Sequence, residues 1–262
     1  MMKYLYNKRN LKKPFFSIIT VVKNDQKKIF KTLRSIKNQT FKNFEYIIID
    51  GASTDKTLDI LKKNKIYDVL ISEKDNGIYH GMNKGLKICN GEVVLYVNSG
   101  DTLTKDALKM VNKEFKKNEN FSFLFATVLR HYRTAKILKS GYNFKRIRYN
   151  FDFATSHSTG FFLKKTIYNL IGNYDTNFKC SADYDLYFRL FKKNYEGTFT
   201  KKSHLIGNVA AGGFSSKLSF LEHLIEETKI RVKNKQNFLL IIIIIVNAII
   251  KNFIKKIKLY FY

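Results

Sequence analysis

The sequence predicts an α/β fold built on a doubly wound, mostly parallel sheet. Three observations predict it. Short continuous apolar runs alternate with segments of helical period through the first hundred residues, polar turns close those runs, and three of these turns carry an aspartate.

The elements follow in order. Phe15 to Val22 is apolar and β-branched, of strand length, and Gln26 to Lys37 places Ile29, Leu33 and Ile36 at helical spacing. Phe44 to Ile49 is a second run without alternation, as expected of a strand covered on both faces. Asp50-Gly51-Ala52-Ser53 turns the chain, Ser53 is the expected cap of the next helix, and Asp55 falls in its first turn, where the helix dipole favours a negative charge. Val69 to Ser72 repeats the strand signal, Gly77 to Ile88 reads as helix, and Val93 to Val97 is a fourth strand ending at Asn98-Ser99-Gly100-Asp101. In such a sheet ligands bind beyond the carboxyl ends of the strands, which is where Asp50, Asp75 and Asp101 gather. No Gly-x-Gly-x-x-Gly follows the first strand and no Gly-Lys-Ser/Thr loop occurs, which argues against a dinucleotide oxidoreductase and a P-loop enzyme.

Composition bounds the rest. With 262 residues, 45% of them hydrophobic, the chain can bury a full core. Cys89 and Cys180 lie far apart without metal-ligand spacing, so neither a disulfide framework nor a zinc site is expected, and a reducing compartment suits them. Lys23-Asn24-Asp25, and no small-residue cleavage site, follows the first apolar run, so a secretion signal is not expected and the expected location is cytoplasmic. The net charge of +27 would suggest nucleic acid or an anionic membrane as partner. Abundant Lys, Ile, Asn, Tyr and Phe beside a single Pro is also what AT-rich codons produce, so nucleic acid is not the expected partner.

The segments FSIITVVKND, QTFKNFEYIIIDGASTDKT, SEKDNGIYHGMNKGL, GEVVLYVNSGD and CSADYDLYFRL, in that order, resemble the inverting glycosyltransferases of family 2, which have the Rossmann-like GT-A fold. The resemblance covers about residues 15 to 205. It implies a catalytic domain with a nucleotide-sugar half at 15–101 and an acceptor half at 102–205, a nucleotide-sugar donor, a saccharide or lipid-linked saccharide acceptor, and a divalent cation, Mn²⁺ or Mg²⁺, on the donor diphosphate. Cell-surface polysaccharide synthesis is the expected setting. Two other classes stay open: a nucleotidyltransferase on a similar sheet, although its Gly-rich basic loop after the first strand is absent, and a non-catalytic membrane-surface binding protein.

Carried over to this chain, the resemblance implies that Asp50 lines the nucleoside pocket, with turn formation as the alternative, and that Asp75 lies near the ribose or sugar. Gly51 stands where a second acid often reads the base, and Lys23 where a stacking Tyr is common. The helix after Gly77 presents orphan N–H groups and its positive dipole end to the diphosphate, to which Lys84 either adds a charge or stays solvated. His80 replaces a common Asp and reads as a helix-surface histidine. Asn98 to Asp101 takes the place of the family's Asp-x-Asp, leaving Asp101 as the expected metal ligand, through oxygen as a hard cation requires, or as a cap for a helix near Thr104. His157 resembles a histidine near the acceptor or diphosphate. Arg130, His131, Arg133, Arg146 and Arg148 form a basic stretch suited to an anionic acceptor or to solvent.

Helix geometry separates the last two acids. Ser181 is the expected cap of a helix with Asp183 and Asp185 in its first turn; Asp183 shares a face with Leu186, Tyr187 and Leu190, and Asp185 is spaced to pair with Arg189. The resemblance makes Asp183 the general base, with Ala182 in place of the preceding Glu. Residues 206–262 read as a helical extension. Its apolar run FLLIIIIIVNAII is about 20 Å long as a helix, short of a roughly 30 Å hydrocarbon core. The continuation is amphipathic, with Ile249, Phe253 and Ile257 four apart as are Lys251 and Lys255, so a membrane-surface anchor on the cytoplasmic face of the inner membrane is expected, with a packed helix or a strand as alternatives.

Overall fold

The computed structural model describes residues 3–6, 13–147, 149, 158–213, 216 and 218–260. The first half runs β1 (Lys3–Tyr6), β2 (Phe16–Val22), α1 (Ile29–Lys37), β3 (Phe44–Asp50), α2 (Thr57–Asn64), β4 (Val69–Ser72), α3 (Ile78–Ile88), β5 (Val93–Tyr96), β6 (Thr102–Leu103) and α4 (Ala107–Phe115). The second half continues with β7 (Phe123–Phe125), β8 (Thr127–His131), β9 (Lys136–Lys139), α5 (Phe144–Ile147), β10 (Phe161–Lys164), α6 (Lys165–Ile171), α7 (Ala182–Lys192), β11 (Gly197–Phe199), β12 (Leu205–Val209), α8 (Phe220–Lys233) and α9 (Phe238–Tyr260).

Eight strands form the main sheet in the order β1-β4-β3-β2-β5-β10-β7-β11. The block β4-β3-β2-β5 is parallel, as expected from its βα alternation, while β1 and β10 run antiparallel to their neighbours. Alternate residues of each central strand feed opposite layers. Ile19, Val21, Ile47 and Ile49 pack on one face, and Ile18, Val22, Tyr46 and Ile48 on the other. Both faces are covered, which is why these strands read as unbroken apolar runs.

A second sheet, β6-β12-β8-β9, was not legible beforehand. The segment Phe121 to Leu129, which reads as one strand, is two: β7 belongs to the main sheet and β8 to the second, parted at Ala126. The strand β12 starts at Leu205, the expected limit of the catalytic domain, and pairs with β6 and β8, burying Ile206. The helix α8 joins the same body. Its Ile230 enters the main core, and the fully buried Asp185 of α7 accepts hydrogen bonds from Lys233 Nζ (2.9 Å) and Asn234 Nδ2 (3.0 Å) beside the expected Arg189 Nε (3.0 Å).

Helix starts differ locally from expectation. Helix α1 begins at Ile29, and α2 begins at Thr57 with Lys56 at its N-cap, so Ser53 does not cap it. The Ser53 hydroxyl and N–H are instead drawn to Asp50, and Asp55 takes the Thr57 N–H (2.9 Å) just ahead of the helix. Ser181 holds the N-cap position of α7 without a side-chain cap bond.

Helix α3 lies closer to the sheet than a helix of ordinary side chains could. A Cβ at Gly85 would stand 2.5 Å from Ile19 Cγ2, and one at Gly81 would stand 2.7 Å from Val21 Cγ1. Ile19 and Val21 are β-branched, central in β2 and stiff at χ1, so they cannot swing aside. Gly85→Ala gains helix propensity yet overpacks this contact, and its expected net cost is about 1–3 kcal/mol. A lowered urea midpoint with an unchanged slope is the measurement.

Candidate active site

The polar ends of the parallel strands form one side of the candidate site. Asp50, the last residue of β3, is fully buried and accepts hydrogen bonds from the Ser53 N–H (3.1 Å), the Ser53 hydroxyl (2.5 Å) and the Ser72 hydroxyl (2.6 Å). The following turn carries Ala52 at φ 56°, a left-handed conformation that costs a β-carbon residue energy and shapes the loop around Asp50. Asn24 ties this turn to the loop after β2: its N–H donates to Ser53 Oγ (2.8 Å), and its side-chain oxygen accepts the Thr54 N–H (2.8 Å).

Asp75 is half-buried and sits between that turn and α3. A methyl on Gly51 would lie 2.8 Å from Asp75 Oδ2 and 3.3 Å from Lys23 Cδ, while one on Gly81 would lie 3.3 Å from the same Asp75 oxygen. The missing acid at residue 51 thus makes room for Asp75. Gly77, at φ 115° and ψ 170°, launches α3 from a conformation only glycine adopts readily, with open space around it. Its N–H donates to Asp75 Oδ1 (3.3 Å). His80, read as a plain surface histidine, accepts the Asn76 N–H on Nδ1 (3.1 Å) and so shapes the helix start. Lys84 is not directed at this end: its ammonium pairs with Glu73 (2.7 Å) and donates to the Lys74 carbonyl (3.0 Å).

Beyond β5, Asp101 is 3% exposed and joins the two halves of the chain. Its Oδ2 accepts the Thr159 hydroxyl (2.6 Å) and its Oδ1 the Ala210 N–H (2.8 Å). It does not cap a helix, since α4 starts at Ala107 with Asp106 at the N-cap. Asn98 Nδ2 donates to Ser158 Oγ (2.9 Å), but the buried Asn98 Oδ1 and Ser99 Oγ have no hydrogen-bond partner among the described residues. These oxygens, two and three residues before Asp101, suit a hard cation. A single acid gives it little charge, and among the described residues no three His, Cys, Asp or Glu side chains cluster. His157 and Arg148 lie outside the described residues.

The other side of the candidate site centres on Asp183. Burial pushes its carboxyl up to about 7; the Tyr184 N–H (3.0 Å) and the Tyr79 hydroxyl (3.4 Å) pull the other way, and the negative Glu226 adds to the rise. Four residues unseen in the sequence make this environment. Tyr79, two residues into α3, stacks on Tyr174 with ring centroids 5.4 Å apart. Asn83, one turn further, clamps Tyr174 by its backbone: Asn83 Nδ2 donates to the Tyr174 carbonyl (2.8 Å), and the Tyr174 N–H donates to Asn83 Oδ1 (3.1 Å). One helix therefore carries the open amino end at Gly77 and the hydroxyl that meets Asp183. Glu226 of α8 accepts the N–H groups of Lys179 (2.5 Å) and Cys180 (3.1 Å), just before α7. Burial opposes its ionisation, but donors from Cys180, Lys179 and Ser181 hold its carboxyl below the ordinary value. Glu226 and Cys180 are 46 residues apart, and no spacing rule pairs them. Burial pushes the Cys180 thiol up to about 12, which leaves it unreactive.

Residues 17–180 match the model of a family described as Glycosyl transferase family 2. The chain belongs to this family. As a family 2 glycosyltransferase it is 28% identical over 232 residues to a PGL/p-HBAD biosynthesis glycosyltransferase of Mycobacterium bovis, covering 84% of this chain and 88% of that one. It is 29% identical over 184 residues to a chondroitin synthase of Escherichia coli, covering 68% of this chain but 26% of that larger protein. Among solved structures, residues 1–349 of S. aureus TarS in complex with UDP-GlcNAc align with a TM-score of 0.66 at 18% identity, over 89% of this chain and 71% of that one. The mannosyltransferase PcManGT of Pyrobaculum calidifontis, in complex with GDP-Man and Mn²⁺, aligns with a TM-score of 0.64 at 14% identity, over 86% and 65%. These structural likenesses show the shared fold.

Glu226 is separable from Asp183 by titration. Glu226→Gln removes a negative charge near a carboxyl whose affinity for its proton that charge raises, so Asp183 is expected to titrate at lower pH. The ¹³C-carboxyl resonance of Asp183 in aspartate-labelled protein, followed from pH 5 to 9, reads this directly.

Proposed function

We propose that this glycosyltransferase moves a sugar, with inversion, from a nucleoside-diphosphate sugar to a saccharide or lipid-linked saccharide in cell-surface polysaccharide synthesis, on the cytoplasmic face of the inner membrane. The observation that carries this reading is Asp183, a half-buried carboxyl poised near neutrality and joined through Tyr79 to the helix that starts at Gly77. The relatives named for PGL/p-HBAD biosynthesis and chondroitin synthesis, and the UDP-GlcNAc and GDP-Man bound by the structural neighbours, support the donor and acceptor classes.

The donor would lie along the strand ends, its nucleoside toward Asp50 and Asp75 and its diphosphate toward the N–H groups after Gly77, where the helix dipole favours negative charge. Asn98 Oδ1 and Asp101 would hold a divalent cation there, which neutralises charge on the departing diphosphate. Asp183 would take the acceptor hydroxyl proton as that oxygen attacks the anomeric carbon. Its displaced proton affinity serves this purpose: a carboxylate with an ordinary value near 4 is a weak base, whereas one near 7 binds the proton firmly and is still half ionised at neutral pH. The Tyr79 hydroxyl orients the carboxylate, and Tyr174 stacks on the Tyr79 ring.

Binding, transfer and stability measurements check the reading. Thermal-shift titration with UDP-GlcNAc, UDP, GDP-Man and GDP, each with and without Mn²⁺, is expected to give a Tm rise with one base class that grows with Mn²⁺. For Asp183→Asn the donor-induced shift is retained while transfer falls on the order of a hundredfold or more. The sign of the pH effect follows from the raised value: below about pH 7 Asp183 is protonated in the folded protein, so wild-type transfer declines as pH falls through 7. Ionised Asp183 costs folding energy above that pH, so Asp183→Asn is expected to be at least as stable as wild type at pH 8. A loss of stability there would mark Asp183 as structural.

A further inference from the structure

Helix α9 turns its apolar side chains outward. Phe238 is 70% exposed, Ile243 62% and Phe253 64%, and Leu239, Val246 and Ile250 are exposed with them. At about 100° per residue these positions fall within one arc of roughly 140°, and the stripe runs about 22 Å from Phe238 to Phe253. The opposite side is packed, with Ile241 at 3% and Ile244 at 8% exposed, and α9 rests on α8. Asn247 and Lys251 are exposed outside the stripe. Packing alone would have put the apolar side inward, and nothing among the described residues covers the outward side.

We propose that this stripe lies flat in the headgroup region of an anionic lipid bilayer, with α9 parallel to the membrane plane. Charge selects the lipid. The α9 sequence holds no acidic residue, carries Lys251, Lys255, Lys256 and Lys258, and belongs to a chain of net charge +27. A second copy of the chain laid on the stripe would bring these like charges together, whereas an anionic surface attracts each of them. The tether selects the orientation. The helix α8, against which α9 packs, is fastened to the catalytic body through Lys233, Asn234 and the buried Asp185, so α9 is held alongside that body. No helix among the described residues is long and apolar enough to cross a membrane. This inference stands on the exposed stripe and not on the transfer reaction.

The chain has no tryptophan, so a single introduced indole reports without background. Full-length Phe238→Trp, Phe253→Trp and Lys251→Trp proteins would be mixed with vesicles of phosphatidylglycerol and phosphatidylcholine brominated at defined acyl positions, and with pure phosphatidylcholine vesicles. The expected result is a blue shift and quenching at the same shallow depth for residues 238 and 253, none for residue 251, and loss of binding in pure phosphatidylcholine or high salt. Val246→Asp should lower the vesicle partition coefficient about tenfold or more. Depths about 22 Å apart would mean a spanning helix and overturn the proposal. So would a blue shift without vesicles that tracks a doubled mass, which would mean a second copy, or unquenched emission from residues 238 and 253.

Discussion

The close approach of α3 to β2 is the constraint on which the site depends. Helix and strand meet through Gly81 and Gly85, where any side chain would strike Val21 or Ile19. Two consequences follow from this one contact. The helix start at Gly77 is brought beside Asp75 and the turn after β3, and Tyr79 and Asn83 are carried toward Tyr174 and Asp183. The surroundings of Asp75 and of Asp183 thus share one rigid element, and a shift of α3 by the width of a methyl group would be felt at both.

The acids of this protein divide by what surrounds them. Asp50, Asp101 and Asp185 are buried with several donors each, and they fasten a turn, the junction between the two sheets, and the seat of α8 respectively. A buried carboxylate so satisfied contributes rigidity, and removing one of its partners is costly. Asp183 has only its own N–H and that of Tyr184 as backbone donors and one long tyrosine contact, with Glu226 nearby adding negative charge. Poor compensation of a buried charge is what lifts its proton affinity. Two residues apart on one helix, Asp183 and Asp185 have opposite fates because the helix turns one toward the tyrosines and the other toward Arg189, Lys233 and Asn234.

The helix α8 links the catalytic body to α9. Glu226 braces the chain just before α7, and the buried Arg231 binds Glu227 (2.5 Å) and Gln236 (2.8 Å) beside the Phe188 ring. The surface offered by α9 therefore stands in fixed relation to the first turn of α7.

The sequence by itself determined the parallel core, because a continuous β-branched run followed by a helix-period segment has few other solutions. It also determined that acids end β3, β5 and the turn after β4, and that Asp183 and Asp185 face apart, since two-residue spacing on a helix leaves no choice. It did not determine Tyr79, Asn83, Tyr174 or Glu226 as neighbours of the site, nor that the run from Phe121 splits between two sheets, nor that Lys84 spends its charge on Glu73. Each of these depends on residues far apart in the chain meeting across packed elements, and local periodicity carries no information about such meetings. The outward face of α9 was decided in the same way: the sequence makes most of the helix apolar, and only the packing of Ile241 and Ile244 beside α8 leaves the other side to be covered.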